Sequence, residues 1–172
     1  MNNAAIILLL IPAAAGLVIP AFTLISKGFG RFLSFIGFLA GAVYGGFLLP
    51  SVMEESISVV VAGWLPPYGI NLVLTPASLG FLILAFSVAA LAVFFDLVNG
   101  RERKGQYYLL LSLTVMASGG MLLTGDLFNL FVFIEVAGIA SFALIAAGNP
   151  QSGAGGALRY LIPAQLTTLL ML

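Results

Sequence analysis

"DLFNLFVFIEVAGIASFALIAAG", residues 126–148, is an apolar run that carries one carboxylate, Glu135, in its interior. A run of this length can cross a bilayer core, which takes about 20 helical residues. Glu135 would then lie about 13 Å along the helix from Asp126, close to the middle of the membrane. Because a charge at that depth costs several kcal/mol, the surroundings of Glu135 decide both the fold and the function.

The composition identifies those surroundings as a lipid bilayer. The 172 residues are 62% hydrophobic and 7% charged, whereas a typical soluble domain is about 25% charged. The net charge is zero, so no long-range field favours nucleic acid. The absence of His and Cys removes imidazole and thiolate metal sites, disulfides and His- or Cys-based catalysis. We therefore expect an integral membrane protein with no cofactor and no catalytic residue in this chain.

Six apolar stretches predict an all-α protein of about six transmembrane helices in one membrane domain, residues 1–172. The sixth stretch is at the short limit for a span, and no ten-residue alternation indicates a β-barrel. The first stretch lacks a basic flank and is longer than the apolar region of a signal sequence, so we expect it to be retained. The spans are approximately 4–25, 32–52, 76–98, 106–124, 127–147 and 156–172.

The basic residues predict the orientation of the helices. All six lie in or beside three alternate connections, namely Lys27 and Arg31, then Arg101, Arg103 and Lys104, then Arg159. By the positive-inside rule these connections are cytoplasmic, which places both termini outside a cell membrane that the chain crosses several times. The other connections contain Glu54, Glu55 and the Gly125–Asp126 turn.

The connection between the second and third spans contains "ISVVVAGWLPPYGINLVL", residues 57–74. Short β-branched runs flank Trp64, Pro66 and Pro67, which favours an external β-hairpin over residues 56–75. An irregular interfacial loop with an aromatic anchor explains the pattern equally well. In the second span, Gly37, Gly41 and Gly45 form a stripe of small residues that indicates close helix packing.

Glu135 is the strongest candidate for chemistry. A mid-membrane acid must be neutral or find partners in a hydrated interior, and either condition suits a proton carrier. The simpler interpretation is a protonated acid that only links two helices. No Lys or Arg lies inside a span, so a cationic partner must come from another chain. Candidate relay or lining residues, each more often an interhelical hydrogen bond, are Asn129, Ser141, Ser112, Thr114, Ser118, Gln165, Thr167 and Thr168.

Two aspartates near helix ends have other interpretations. Asp126 opens the fifth helix, where a carboxylate caps helix-end N–H groups; the alternative is a point where an ion enters. Asp96, at the end of the third span and within reach of Arg101 or Arg103, is expected to be an interfacial charge.

Three segments resemble one family. "LLTGDLFNLFVFIEVAGIASFALIA", residues 122–146, resembles the fourth-to-fifth helix region of antiporter-like membrane subunits. These are the D-type subunit of Mrp cation/proton antiporters and the matching subunits of complex I and of archaeal membrane-bound hydrogenases and sulfane reductases. "GWLPPYGINLVL", residues 63–74, resembles the external hairpin of that family, and "GGALRYLI", residues 155–162, the start of its sixth helix.

The resemblance implies a role for Glu135, which matches the helix-five glutamate that the family uses in proton translocation. The family's lysine partner lies on a seventh helix, which this chain lacks. Full members have about fourteen helices built on inverted repeats, so the chain resembles their N-terminal part only. One departure is Thr75–Pro76–Ala77, where many relatives carry an acidic residue.

Two functions remain open at this stage. The chain is expected to be a membrane subunit of an ion-translocating complex, with or without a hydrogenase, sulfane reductase or complex I-like redox arm. In that reading it moves protons or sodium through Glu135, and another membrane subunit supplies the lysine. Alternatively it is a truncated, non-pumping scaffold of the same kind of complex. If the complex is a respiratory oxidoreductase, its redox chemistry lies in other subunits.

Overall fold

The computed structural model describes residues 3–25, 27–61, 69–101, 103–148 and 153–170. The predicted helical membrane fold, with a hairpin between the second and third helices, is confirmed. The elements are α1 (Ala4–Ile25), α2 (Lys27–Glu54), β1 (Ile57–Val60), β2 (Asn71–Leu74), α3 (Pro76–Val98), α4 (Gly105–Leu123), α5 (Leu127–Gly148) and α6 (Gly153–Leu169).

Helix lengths follow the thickness of a bilayer. Helices α1 to α5 are long and apolar enough to cross one, and α6, with 17 residues, is at the lower limit. Helix α2 has 28 residues, about 42 Å, and therefore exceeds a hydrocarbon core of about 30 Å. Its ends, which carry Arg31 and Glu54, extend beyond the apolar stretch at 32–52.

The hairpin is antiparallel and joins α2 to α3. Ile57 pairs with Leu74 and Val60 with Asn71. Leu72 and Leu74 lie on the same face of β2, and both are buried in the core. The chain then enters α3 through a capping box, in which the side chains of Thr75 and Ser78 each bond the other's backbone N–H. Residues 62–68, with the predicted aromatic anchor Trp64, lie outside the described residues.

Helices α1 to α4 form a bundle to which α5 and α6 are attached. In the bundle α1 packs on α2 and α4, and α3 also packs on α2 and α4; α5 packs on α4 and α6 on α5. The apolar core is built from the bundle and the hairpin, without α5 or α6. Only 11% of the α5 span is buried, against 22–39% in the other four spans. The α5–α6 pair therefore presents most of its surface outward.

The glycine stripe of α2 lies against α3. A Cβ added at Gly41 would lie 2.6 Å from Phe86 Cε1, and one at Gly45 would lie 2.7 Å from Ile83 Cγ1. At Gly37 the nearest atom, Ala15 Cβ, is 3.6 Å away. The stripe thus provides the close approach that its spacing predicts, at two of its three positions.

Connections meet at the two ends of the bundle. At one end Arg31 Nη1 donates a 2.7 Å hydrogen bond to Arg101 O, which ties the start of α2 to the α3–α4 connection. At the other end Gly125 N donates a 2.8 Å bond to Asn71 O, which ties the α4–α5 turn to β2. We call these the basic end and the hairpin end. Glu135 lies on the helix that starts at the hairpin end.

Candidate functional site: the α5–α6 carboxylate and its cleft

Helix α5 is fixed at its first residues by a cap. Asp126 Oδ1 accepts a 2.7 Å hydrogen bond from Asn129 N, the geometry of a capping carboxylate. The Asn129 side chain donates in turn to Thr124 Oγ1 at 3.0 Å. Asn129 is buried and borders a cleft between α1, the hairpin and α5. Both Asp126 and Asn129 therefore hold the turn that orients α5.

Glu135 is half-buried and bonded to α6. Its Oε2 accepts a 3.0 Å hydrogen bond from Gln165 Nε2. Gln165 follows Pro163, which has no N–H and whose ring disfavours a regular helix at this point. An acid and an amide from two helices thus meet nine residues into α5, counted from Asp126.

A cleft of about 390 Å³ opens beside this pair. Gln165 and Thr168 lie three residues apart and both line it. The Thr168 hydroxyl donates to Ala164 O at 3.2 Å, so its oxygen remains available as an acceptor. The remaining lining residues are Met121, Ile134, Ala137, Gly138, Tyr160, Ala164 and Thr167. Gln165 therefore connects the Glu135 carboxylate to a partly polar cleft.

The other candidates from the sequence lie apart from Glu135. Ser118 donates to its own helix, to Thr114 O at 2.8 Å, and borders a groove between α3 and α4. Asn129 and Ser141 each lie six residues from Glu135, about 240° around the helix. Of the predicted lining residues, the structure brings Gln165 to Glu135 and places Thr167 and Thr168 in the adjacent cleft.

Tyr160 lines the same cleft, although no feature of the sequence singled it out as a site residue. Tyr160, Ala164 and Thr168 follow at four-residue intervals, which places them on one face of α6. The spacing is a signal that could have identified Tyr160. Within the described ranges, no group of three His, Cys, Asp or Glu side chains is placed to hold a metal ion.

A second charged pair lies at the basic end. Arg103 Nε bonds Asp96 Oδ2 at 2.7 Å, so the two residues lie within reach of each other as the sequence indicated, and the Asp96 side chain is buried, with 2% exposure. The hydrogen bond to Asp96 raises the pKa of the Arg103 guanidinium above its ordinary value. Gly100, with φ of 61°, reverses the chain between the two residues.

Comparison with known proteins gives long matches. The chain is 38% identical over 161 residues to the N subunit of the NADH-quinone oxidoreductase of Desulforudis audaxviator, covering 91% of the chain and 32% of that protein. It is 31% identical over 172 residues to the D-type subunit of the Na(+)/H(+) antiporter of Bacillus subtilis, covering 94% and 33%. No protein-family model matches the chain.

The fold has a close counterpart among solved structures. A protein in the structure of the membrane-bound sulfane sulfur reductase, an archaeal respiratory membrane complex, superposes with a TM-score of 0.87 at 25% identity. The match covers 96% of this chain and 35% of that one. The chain therefore spans about a third of the length of the proteins it matches.

Proposed function

Because this chain is homologous to antiporter-like membrane subunits, we propose that it is a membrane subunit of a multisubunit ion-translocating complex. The complex would be an Mrp-type cation/proton antiporter module, alone or joined to a hydrogenase, sulfane reductase or complex I-like redox arm. The matches extend over almost all of the chain, which supports assigning the role to the whole six-helix unit.

In this proposal Glu135 is the group that binds and releases the proton. The observation that carries it is the 3.0 Å hydrogen bond from Gln165, beside a cleft lined by further polar side chains. A carboxylate that is half-buried rather than sealed can exchange a proton with water in that cleft. Gln165 and Thr168 would order that water.

Gln165 alone is too weak a partner for a charged Glu135. A hydrogen bond between membrane helices stabilises by about 0.6 kcal/mol on average, whereas a carboxylate charge near the bilayer centre costs about 3 kcal/mol. A second stabilising group is therefore required when the acid is ionised. We assign that role to a lysine of another membrane subunit, set against the outward surface of the α5–α6 pair.

The ends of the bundle support an orientation. Arg31, Arg101 and Arg103 lie together at one end of the helices. The excess of basic residues there favours the cytoplasmic side. The hairpin end and both termini would then face the outside of the cell membrane. A proton that enters from the hairpin end would travel about 13 Å along α5 to reach Glu135.

The test is Glu135→Gln in the assembled complex, with ion transport measured in sealed membrane vesicles and assembly measured by co-purification of the other subunits. We expect transport to be abolished and assembly to be unchanged, because Gln keeps the size and hydrogen bonding of the side chain. Glu54→Gln, at an exposed position, is the matched control and should transport normally. Normal transport by Glu135→Gln would overturn the proposal.

The alternative is a connector subunit that does not move ions. The outward surface of α5 and α6 favours it, since such a surface also suits lateral assembly. A connector predicts that Glu135→Gln transports normally, while Gly41→Leu, which would clash with Phe86, prevents assembly. The transport measured for Glu135→Gln therefore separates the two functions.

A further inference from the structure

An apolar groove of about 670 Å³ runs between α3 and α4, and Met121 lines both this groove and the cleft beside Gln165. Phe81, Val88 and Ala92 form one wall and Leu111 and Leu122 the other. The hydroxyls of Thr114 and Ser118, which also border it, donate to carbonyls of their own helix at 2.9 and 2.8 Å. The groove therefore offers hydrocarbon contacts and little else.

The dimensions of the groove suit an acyl chain. From Phe81 to Ala92 it extends over eleven residues across the middle of α3, about 16 Å, which is about half the thickness of a core of about 30 Å. Volume divided by length gives a cross-section of about 40 Å², half that of a helix about 10 Å wide. An acyl chain fits this space, whereas a partner helix would seat only part of its surface there.

Cations lie where the groove reaches the basic end. Phe95 lies three residues after Ala92 on α3, and Tyr107 lies four residues before Leu111 on α4. Both residues therefore extend the walls of the groove towards the basic end. Arg101 Cζ lies 5.8 Å from the Phe95 ring centroid, and Arg103 Cζ lies 4.3 Å from that of Tyr107. Arg103 is engaged by Asp96, but the side chains of Arg101 and Lys104 are exposed. Two exposed positive charges thus follow the ends of the two walls along the chain, Arg101 after Phe95 and Lys104 before Tyr107.

We propose that this groove binds an anionic phospholipid, with one acyl chain between α3 and α4 and the phosphate against Arg101 and Lys104. The aromatic rings of Phe95 and Tyr107 lie at the level between chain and headgroup, where aromatic side chains favour the interface. The lipid fills the side of the bundle where α3 and α4 leave the groove between them. The site is independent of the proposed ion transport.

The experiment measures lipid retention by the full chain in native mass spectrometry, after purification with equal amounts of phosphatidylglycerol and phosphatidylcholine. Wild type should retain phosphatidylglycerol preferentially. Arg101→Gln and Lys104→Gln should each weaken retention about five-fold, the effect of one basic residue near a charged membrane surface. Arg159→Gln, an exposed basic residue on α6, is the charge control and should change nothing.

Two tryptophan substitutions test whether an acyl chain occupies the groove. Val88→Trp fills the groove and should abolish retention, whereas Leu91→Trp, at a similarly exposed position outside the groove, should not. Equal retention by all variants, or equal retention of the two lipids, would overturn the proposal. So would a photo-crosslinker at position 88 that captures a protein rather than a lipid in intact membranes.

Discussion

Arg103 Nε bonds Asp96 Oδ2 over 2.7 Å, yet the two side chains differ sharply in exposure, at 28% for Arg103 and 2% for Asp96. The guanidinium can turn towards water if its partner is lost, but the carboxylate cannot. The pair joins the end of α3 to the residues that lead into α4. Substitution of Arg103 and substitution of Asp96 should therefore lower the stability of the protein by different amounts.

Arg103→Met should destabilise the protein more than Asp96→Asn does. Removing the arginine leaves a buried carboxylate without its ion partner, a change that costs about 3 kcal/mol. Removing the carboxylate charge leaves an arginine that can reach solvent, at a cost of about 1 kcal/mol. Thermal unfolding in detergent gives the order, with Arg101→Met as the exposed control; equal losses from the two substitutions would contradict this account.

Neighbouring glycines on α2 should differ in their tolerance of a methyl group. A Cβ at Gly45 would lie 2.7 Å from Ile83 Cγ1, whereas one at Gly46 would meet no atom within 4 Å. Gly45→Ala should therefore cost about 1–3 kcal/mol through overpacking against α3. Gly46→Ala should be neutral or stabilising, because alanine favours a helix by about 1 kcal/mol over glycine. Unfolding midpoints that do not separate the two variants would disprove close packing at Gly45.

Hydropathy predicts where the membrane lies better than where the helices end. The apolar stretch at 32–52 lies within a longer helix that runs from Lys27 to Glu54. The backbone hydrogen bonds of the helix continue beyond the hydrocarbon core, where the side chains are polar. At α3 a local signal is present, and the Thr75–Ser78 capping box with Pro76 at the first position fixes the start. The hairpin was one of two equal interpretations, since β-branched runs alone do not establish a register.

For the candidate site, the sequence identifies the acid but not its neighbours. Glu135 is conspicuous because its depth makes a charge costly. By residue type alone, Asn129, Ser118 and Gln165 are equally suitable partners for Glu135. Which of them contacts Glu135 depends on how each helix is rotated about its axis. The burial of Asp96 was missed for a similar reason. It depends on the turn at Gly100, which brings Arg103 back over the end of α3.

Substitution of Asp126 should lower the stability of the protein and leave ion transport unchanged. Its Oδ1 accepts from Asn129 N as a helix cap, so Asp126→Ala should cost about 1 kcal/mol of stability. Asp126→Ser keeps a capping oxygen without the charge and should restore most of that loss. Ion transport in vesicles should be normal with Ser at this position. A transport defect in Asp126→Ser, with stability intact, would instead assign Asp126 to the path of the ion.

Gln165 should affect ion transport through its hydrogen bond to Glu135. Gln165→Leu removes the 3.0 Å bond to Glu135 Oε2 and one polar group of the adjacent cleft, so we expect ion transport to fall several-fold. The stability loss should be small, about 0.6 kcal/mol, as for other hydrogen bonds between membrane helices. Ser87→Ala on α3 is the control, because its hydroxyl bonds Ile83 O on its own helix and it does not line the cleft. In the double variant Glu135→Gln/Gln165→Leu, transport should be no lower than in Glu135→Gln alone. A Gln165→Leu protein with wild-type transport would show that the amide holds the two helices together and has no part in moving the proton.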